Sequence, residues 1–219
     1  MCQAIGADAP AAKRFPEILR RLRQRHPDAH CELDYETPLQ LLVATILSAQ
    51  CTDVRVNQVT PELFDRFPDA ESLAAAPREE IEAIIRPTGF FRQKARYIQE
   101  SAHKLLLEHD GEMPDSLKTL TKLPGVARKT GNVVLGEVYG IAEGVTVDTH
   151  VRRLSNRLGF TSHEDPNKIE KDLMKLVPKS SWIEISHLLI FHGRRVCDAR
   201  NPACENCTLA ALCPSAFTF

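Results

Sequence analysis

Four of the seven cysteines, Cys197, Cys204, Cys207 and Cys213, fall within the last 23 residues of this 219-residue chain, and that clustering constrains how its C-terminal segment can fold. The spacing C-x6-C-x2-C-x5-C lets one loop-rich stretch wrap four thiolates around a tetrahedral ion or a cubane cluster. The N-terminal MCQAIGADAPAAKRF lacks the charged start and long apolar centre of a secretory signal, so clustered thiols indicate metal rather than disulfides. Zinc ribbons bring two paired C-x2-C knuckles. Here only Cys204 and Cys207 are so paired, which favours an iron-sulfur cluster while leaving zinc as the alternative. Cys2, Cys31 and Cys51 read as packing residues.

Elsewhere the punctuation is helical. Phe15, Ile18, Leu19 and Leu22 fall on one face of an amphipathic start. Thr37 caps and Pro38 opens an apolar helix through Leu47, and its apolar breadth predicts a central position. Further helices are expected over 53–67, 78–85, 93–107, 116–121, 127–138, 148–158, 167–177 and 182–191. Strand alternation is nearly absent, and residues 144–147 are too short and isolated to make a sheet. The fold class is all-α. No run of 18 apolar residues exists, since Gln40 and Thr45 break the richest stretch, so no membrane span is expected and the protein reads as cytoplasmic.

A net charge of -1 gives no global sign of nucleic acid, so such a partner needs a one-sided charge distribution. Acids dominate residues 61–85. Residues 118–132 carry Lys118, Lys122, Arg128 and Lys129 without an acid, a run that is either a phosphate contact or a solvated face. The same stretch reads helix, Pro124-Gly125 turn, helix. Gly125 permits a positive φ, and the amides opening the second helix favour an anion, although an ordinary helix connection has the same outline. Lys129 in the first helical turn would face the positive end of the helix dipole beside Arg128 and Lys122. That setting disfavours an ammonium and suits a nucleophilic amine; a plain phosphate contact is the alternative. Asp148, just before a helical run, is a good N-cap and also a carboxylate able to stabilise positive charge or move protons. His150 is either an orienting residue or a satisfied core histidine.

Together these segments resemble the helix-hairpin-helix DNA glycosylases, and within them the endonuclease III group. LPGVARKTGNVVL resembles the hairpin and catalytic-lysine helix, TVDTHVRRLSNRLG the aspartate segment, LLVATILSAQCTD the central helix and wedge loop, and the cysteine spacing the 4Fe-4S loop. The matches keep the family's order and span roughly residues 15–214. The resemblance implies a two-lobed fold: a six-helix barrel domain with the helix-hairpin-helix over 31–141, and an iron-sulfur cluster domain from 1–30 and 142–219. It implies a substrate cleft between them. The implied activity is that of a bifunctional DNA glycosylase/AP lyase in base excision repair, which removes oxidised pyrimidines from duplex DNA by a lysine Schiff base and β-elimination. Its partner is double-stranded DNA with an oxidised pyrimidine or abasic site, and the protein is expected to act as a monomer, nucleoid-associated if bacterial.

By the same resemblance Lys129 is the nucleophile, Asp148 the assisting carboxylate, and Cys197, Cys204, Cys207 and Cys213 hold the 4Fe-4S cluster. Gln50 matches the residue that fills the gap left by an extruded nucleotide, and Phe90 the apolar wedge. From the residues alone, Gln50 reads as a helix end and Phe90 as core. Further DNA contacts fall on Lys122, Gly125, Val126, Ala127, Arg128, His150 and Arg194. Ala127 stands where the family hairpin has its second glycine, which puts hairpin geometry or phosphate affinity in doubt. Phe90 replaces a common aliphatic wedge, which bears on lesion preference. The rival classes are a non-catalytic DNA binder, in which Lys129 is only a phosphate contact, and an electron-transfer protein centred on the cluster.

Overall fold

The computed structural model describes residues 6–218, so Cys2 lies outside the described residues. No strand occurs among them, and residues 144–147 are irregular. The chain divides into two compact units: Glu32–Glu143, and the N-terminal stretch up to Cys31 with Gly144 onward.

In the continuous unit, α2 (Pro38–Ser48) is the centre. The Thr37 side chain accepts from the Gln40 amide, Pro38 sits in the first turn, and every residue from Leu41 to Leu47 is buried. Such a helix needs neighbours on all sides. They are α3 (Asp53–Arg66), α6 (Phe91–His109) and α8 (Arg128–Tyr139), with α4 (Ala70–Ala75) and α5 (Arg78–Ile85) packed on α6 and the single turn α7 (Leu117–Leu120) on α8. α4 is not among the helices expected from periodicity, because it is short and weakly periodic; its signal is a capping box between Asp69 and Ser72.

In the second unit α1 (Ala11–Arg25) buries Phe15, Ile18, Leu19 and Leu22, as its pattern predicts. These pack into one core with residues of α9 (Thr149–Arg157), α10 (Pro166–Leu176) and α11 (Trp182–Arg195). Arg14 is also buried, at 3% exposure. Its guanidinium donates to the carbonyls of Ala9, Leu158 and Leu212 at 2.7–2.8 Å, tying α1 to the cysteine-bearing tail. A buried cation on carbonyls keeps its donors satisfied, which is what burial of a polar group requires.

Candidate functional site

The hairpin is built from α7, the seven-residue connection 121–127 and α8. Ser116 caps α7 by accepting from the Thr119 amide, and Thr121 ends it. The chain reverses through Lys122 N→Thr119 O, Leu123 N→Leu120 O and Val126 N→Leu123 O bonds of 3.0–3.1 Å, with Gly125 at φ +76°. Leu123 and Val126 are buried, so the turn is anchored on its inner side while Lys122, Gly125 and Ala127 face solvent. Val126 thus spends both its side chain and its amide on the hairpin. Ala127 occupies the N-cap with extended backbone (φ -81°, ψ 169°) and provides no side-chain cap. An extended residue does not need glycine, so Ala127 leaves the hairpin geometry intact, and the uncapped start of α8 keeps leading amides for an outside acceptor.

Three residues on one face of α6 support this turn from beneath. Ser101 Oγ donates to the Pro124 carbonyl at 2.9 Å, Lys104 Nζ donates to that of Lys122 at 3.2 Å, and the Tyr97 ring packs on Gly125. Their i, i+4, i+7 spacing is the sequence signal for this brace. A Cβ at Gly125 would stand 2.6–2.9 Å from Tyr97 ring and Cβ atoms, whereas Gly140, also left-handed at φ +64°, has open space. Gly140→Ala should therefore cost only the left-handed backbone term, about 1–2 kcal/mol. Gly125→Ala should cost about 1–3 kcal/mol more for the overpacked ring. Denaturant midpoints of the two variants measure the difference, and equal losses would mean that Tyr97 yields freely.

Lys129 is the second residue of α8 and is exposed, as are Lys118, Lys122 and Arg128, so the acid-free run faces solvent on the hairpin. The Arg128 guanidinium donates to the Glu143 carbonyl at 3.2 Å. Gln50, two residues past the end of α2, and Phe90, before α6, are both exposed, and both adopt left-handed backbone, at φ 53° and 47°. Phe90 is 68% exposed; the core placement that its type alone suggests is wrong, because the residue sits at the N-cap of α6 pointing away from the apolar face.

In the second unit Asp148 is the N-cap of α9, its Oδ1 accepting from the Val151 amide at 2.8 Å. The carboxylate is half-buried, with its other oxygen not used by the cap. His150 is half-buried, and its Nδ1 lies 3.2 Å from an Arg153 nitrogen that also donates to the carbonyls of Gly193 and Cys197. A Cβ at Gly193 would meet the His150 side chain at 3.0 Å, so that glycine permits the close α9–α11 approach. Arg194 is exposed in the last turn of α11.

The four C-terminal cysteines surround one cavity of about 30 Å³, whose walls include Val196, Ala203 and Ala210. Their backbone is irregular, with 3-10 turns at Cys204–Asn206 and Ala210–Leu212. Several donors address the sulfurs: Arg157 Nη1 at 3.1 Å from Cys197, the Leu209 amide at 3.4 Å from Cys207, and His192 Nε2 at 3.3 Å from Cys207. Burial, then the charges of His26 and Arg25, pushes His192 down to about 4, and its Nδ1 lies 3.0 Å from His26 Nε2. A neutral ring that accepts from His26 donates to sulfur. Burial also raises the thiols of Cys207 and Cys213, so thiolates there call for a cationic centre. Among the described residues no three Cys, His or carboxylate groups converge as a single ion requires. Four cysteines lining one cavity, with N–H donors aimed at two of the sulfurs, are groups chemically able to hold a metal centre. Sequence reasoning missed the His26–His192 pair, whose members lie 166 residues apart. Cys31 and Cys51 are half-buried and belong to no such group.

Residues 43–179 match the family model of the HhH-GPD superfamily base excision DNA repair proteins. Endonuclease III of Synechocystis sp. is 59% identical over 208 residues, 95% of each chain. Among solved structures, a non-covalent endonuclease III–DNA complex superposes with a TM-score of 0.90 at 42% identity, covering 95% of this chain and 97% of the other. A trapped endonuclease III–DNA covalent intermediate does so with the same score and identity, covering 95% and 98%. With a helical fold and hairpin of this form, and relatives aligned over nearly the whole length, the chain belongs to the endonuclease III group of the HhH-GPD base excision DNA repair superfamily.

Proposed function

We propose that this protein is a DNA glycosylase and AP lyase of base excision repair that removes oxidised pyrimidines from duplex DNA, with Lys129 as its nucleophile. The observation that carries this reading is the position of Lys129: an exposed amine one residue inside α8, next to an uncapped helix start and a left-handed Gly125 turn. The leading amides of α8 and the basic side chains around them hold a backbone phosphate without reading bases. The amine of Lys129 is thereby brought to a nucleotide of any sequence.

In the chemical sequence, the Lys129 Nζ lone pair forms a bond to the sugar C1′ as the bond to the base breaks, and the base leaves with its electron pair and a proton. Nζ loses one proton to solvent or to a carboxylate, the C1′–O4′ bond breaks as O4′ takes up a proton, and a protonated imine is left between Nζ and C1′. The iminium acidifies a proton on C2′; its removal sends the C2′–H electrons toward Nζ to give an enamine, whose electrons return to form C2′=C3′ as the C3′–O bond breaks and the 3′ phosphate leaves. Water then returns the amine and releases the unsaturated sugar end. Asp148 supplies negative charge while positive charge develops on the sugar, and it accepts or returns protons. Gln50 and Phe90 enter the stack and offset part of the cost of extruding the damaged nucleotide, a few kcal/mol for a paired base. Cys197, Cys204, Cys207 and Cys213 would hold a 4Fe-4S cluster, which would supply a cross-link for the irregular tail and a centre capable of electron exchange. The barrel and cluster domains of the family correspond to 31–141 and to 1–30 with 142–219.

The decisive experiment is borohydride reduction during turnover on duplexes carrying a single thymine glycol or abasic site, with the ends of the product analysed. A covalent adduct and a β-elimination end are expected; hydrolytic base loss without an adduct would refute the lysine mechanism. The dual position of Asp148 gives a second test. Asn caps a helix as well as Asp does, so Asp148→Asn should change stability by only a few tenths of a kcal/mol, while Asp148→Ala should cost about 1 kcal/mol. Both should lower turnover by roughly 10²-fold or more, since neither carries charge or a transferable proton. Melting curves set beside single-turnover rates make the comparison, and full activity in Asp148→Asn would leave the residue a cap only.

A further inference from the structure

Lys94 is a lysine that the mechanism above does not use, and it is 4% exposed. Burial lowers its pKa, with Cys51 opposing the shift. Its ammonium donates to the Leu47 carbonyl at 2.7 Å and the Thr88 carbonyl at 2.8 Å, and its own amide donates to the Phe90 carbonyl at 3.0 Å. Leu47 lies in the last turn of α2, three residues before Gln50. Thr88 ends a 3-10 turn, Arg86–Thr88, two residues before Phe90. One side chain therefore reaches both loops at their roots.

Two features make this more than a helix-end contact. First, a lysine in the opening turn of α6 is placed against the helix dipole, and burying its charge on carbonyls rather than on a carboxylate is costly. Second, both residues at the ends of the tethered segments hold left-handed backbone, a conformation that a non-glycine residue keeps only where its surroundings over-determine it. The backbone of each loop is thus fixed in a strained form, and Lys94 is the group that both forms share.

We propose that Lys94 is a positioning residue that locks the Gln50 and Phe90 loops into one fixed relation, so that the two side chains enter the duplex as a unit. This rests on the reading of Gln50 and Phe90 as inserting residues. A fixed pair has a physical advantage over two independent probes, because ordering one orders the other before DNA is met.

The test compares Lys94→Met, Gln50→Ala, Phe90→Ala and their combinations. The substrates are a thymine glycol paired in duplex, read as single-turnover base release, and an abasic site in single-stranded DNA, read as strand cleavage. Lys94→Met should lower the duplex rate by about tenfold to a hundredfold, the size expected for a group held roughly 1 Å out of place. Its cleavage of the single strand should stay within about twofold. Adding Gln50→Ala or Phe90→Ala to Lys94→Met should cost little more. In the background that retains Lys94, the double variant Gln50→Ala/Phe90→Ala should lose far less than the product of the two single losses.

If neither Gln50→Ala nor Phe90→Ala affects the duplex rate, the insertion reading fails and this proposal falls with it. If they do, but Lys94→Met is fully active or its loss multiplies with theirs, the lock alone is refuted. Equal losses on duplex and single strand make Lys94 merely structural and also refute it. Should Lys94→Met fail to fold, the Gln50/Phe90 cycle still decides, because strictly multiplicative losses are incompatible with a pair held as a unit.

Discussion

Lys129→Gln should yield no borohydride-trapped adduct and should lower base release by on the order of 10⁴-fold or more, the loss typical of removing a nucleophile outright. The protein should nevertheless fold as before. Lys129 is exposed in the first turn of α8, and the residues around it are Arg128 and the uncapped helix start. Replacing a cation there by a neutral side chain removes an unfavourable dipole interaction of about 0.3–1 kcal/mol, so the melting temperature should hold or rise slightly. Binding to lesion duplex should weaken only modestly, as one phosphate-directed charge is lost among several. Lys129→Arg separates the two roles of a lysine in this place. Guanidinium keeps the charge and the phosphate contact but forms no Schiff base at neutral pH. Both variants should therefore be inactive, and substantial cleavage by Lys129→Arg would make Lys129 a phosphate contact and place the nucleophile elsewhere.

The parts of this site that were legible in the sequence are those fixed by short-range rules. A Pro-Gly pair between apolar helical segments specifies a turn with a positive φ, and Gly125 has one. A carboxylate before a helical run specifies a cap, and Asp148 is one, at 2.8 Å from the Val151 amide. Cysteine spacing brought four thiols to one cavity for the same reason, since the connecting loops are too short to take them far apart. What was not legible depends on contacts made across tens of residues. Lys94 lies on a helix whose charge pattern gives it no distinction from Arg92 or Arg96, and only the packing of α6 on α2 buries it. Phe90 illustrates the opposite error: a large aromatic is assigned to the core by type, yet a left-handed N-cap turns it into solvent. The position of Val126 suggests a place in the phosphate-binding turn, but the turn's own Val126 N→Leu123 O bond occupies its amide.

The cysteine-bearing tail makes a different kind of demand, because it is held by guanidinium donors from elsewhere in its unit, Arg14, Arg21, Arg153 and Arg157, and, in the proposed reading, by a metal centre. From Val196 to Cys213 the backbone is irregular apart from two single 3-10 turns, and the large apolar anchors there are Val196, Leu209 and Leu212. A stretch with so few ladder bonds and so small a share of the core does not repay its ordering entropy unaided. Cys207 packs against the core of its unit and receives the Leu209 amide and the His192 ring at its sulfur. Cys207→Ala should remove a ligand and leave those donors facing a methyl group. The purified variant should lose the brown absorption and the iron and sulfide content of the wild type. It should also expose 196–213 to proteolysis and melt at a clearly lower temperature, since binding free energy of a structural centre is folding free energy. Cys31→Ala, a half-buried cysteine outside the group, is the matched control and should keep its colour. A wild-type protein that is colourless and carries one zinc per chain would overturn the cluster assignment. In that case Cys207→Ala would still loosen the tail, so metal analysis, rather than stability, is the measurement that separates the two centres.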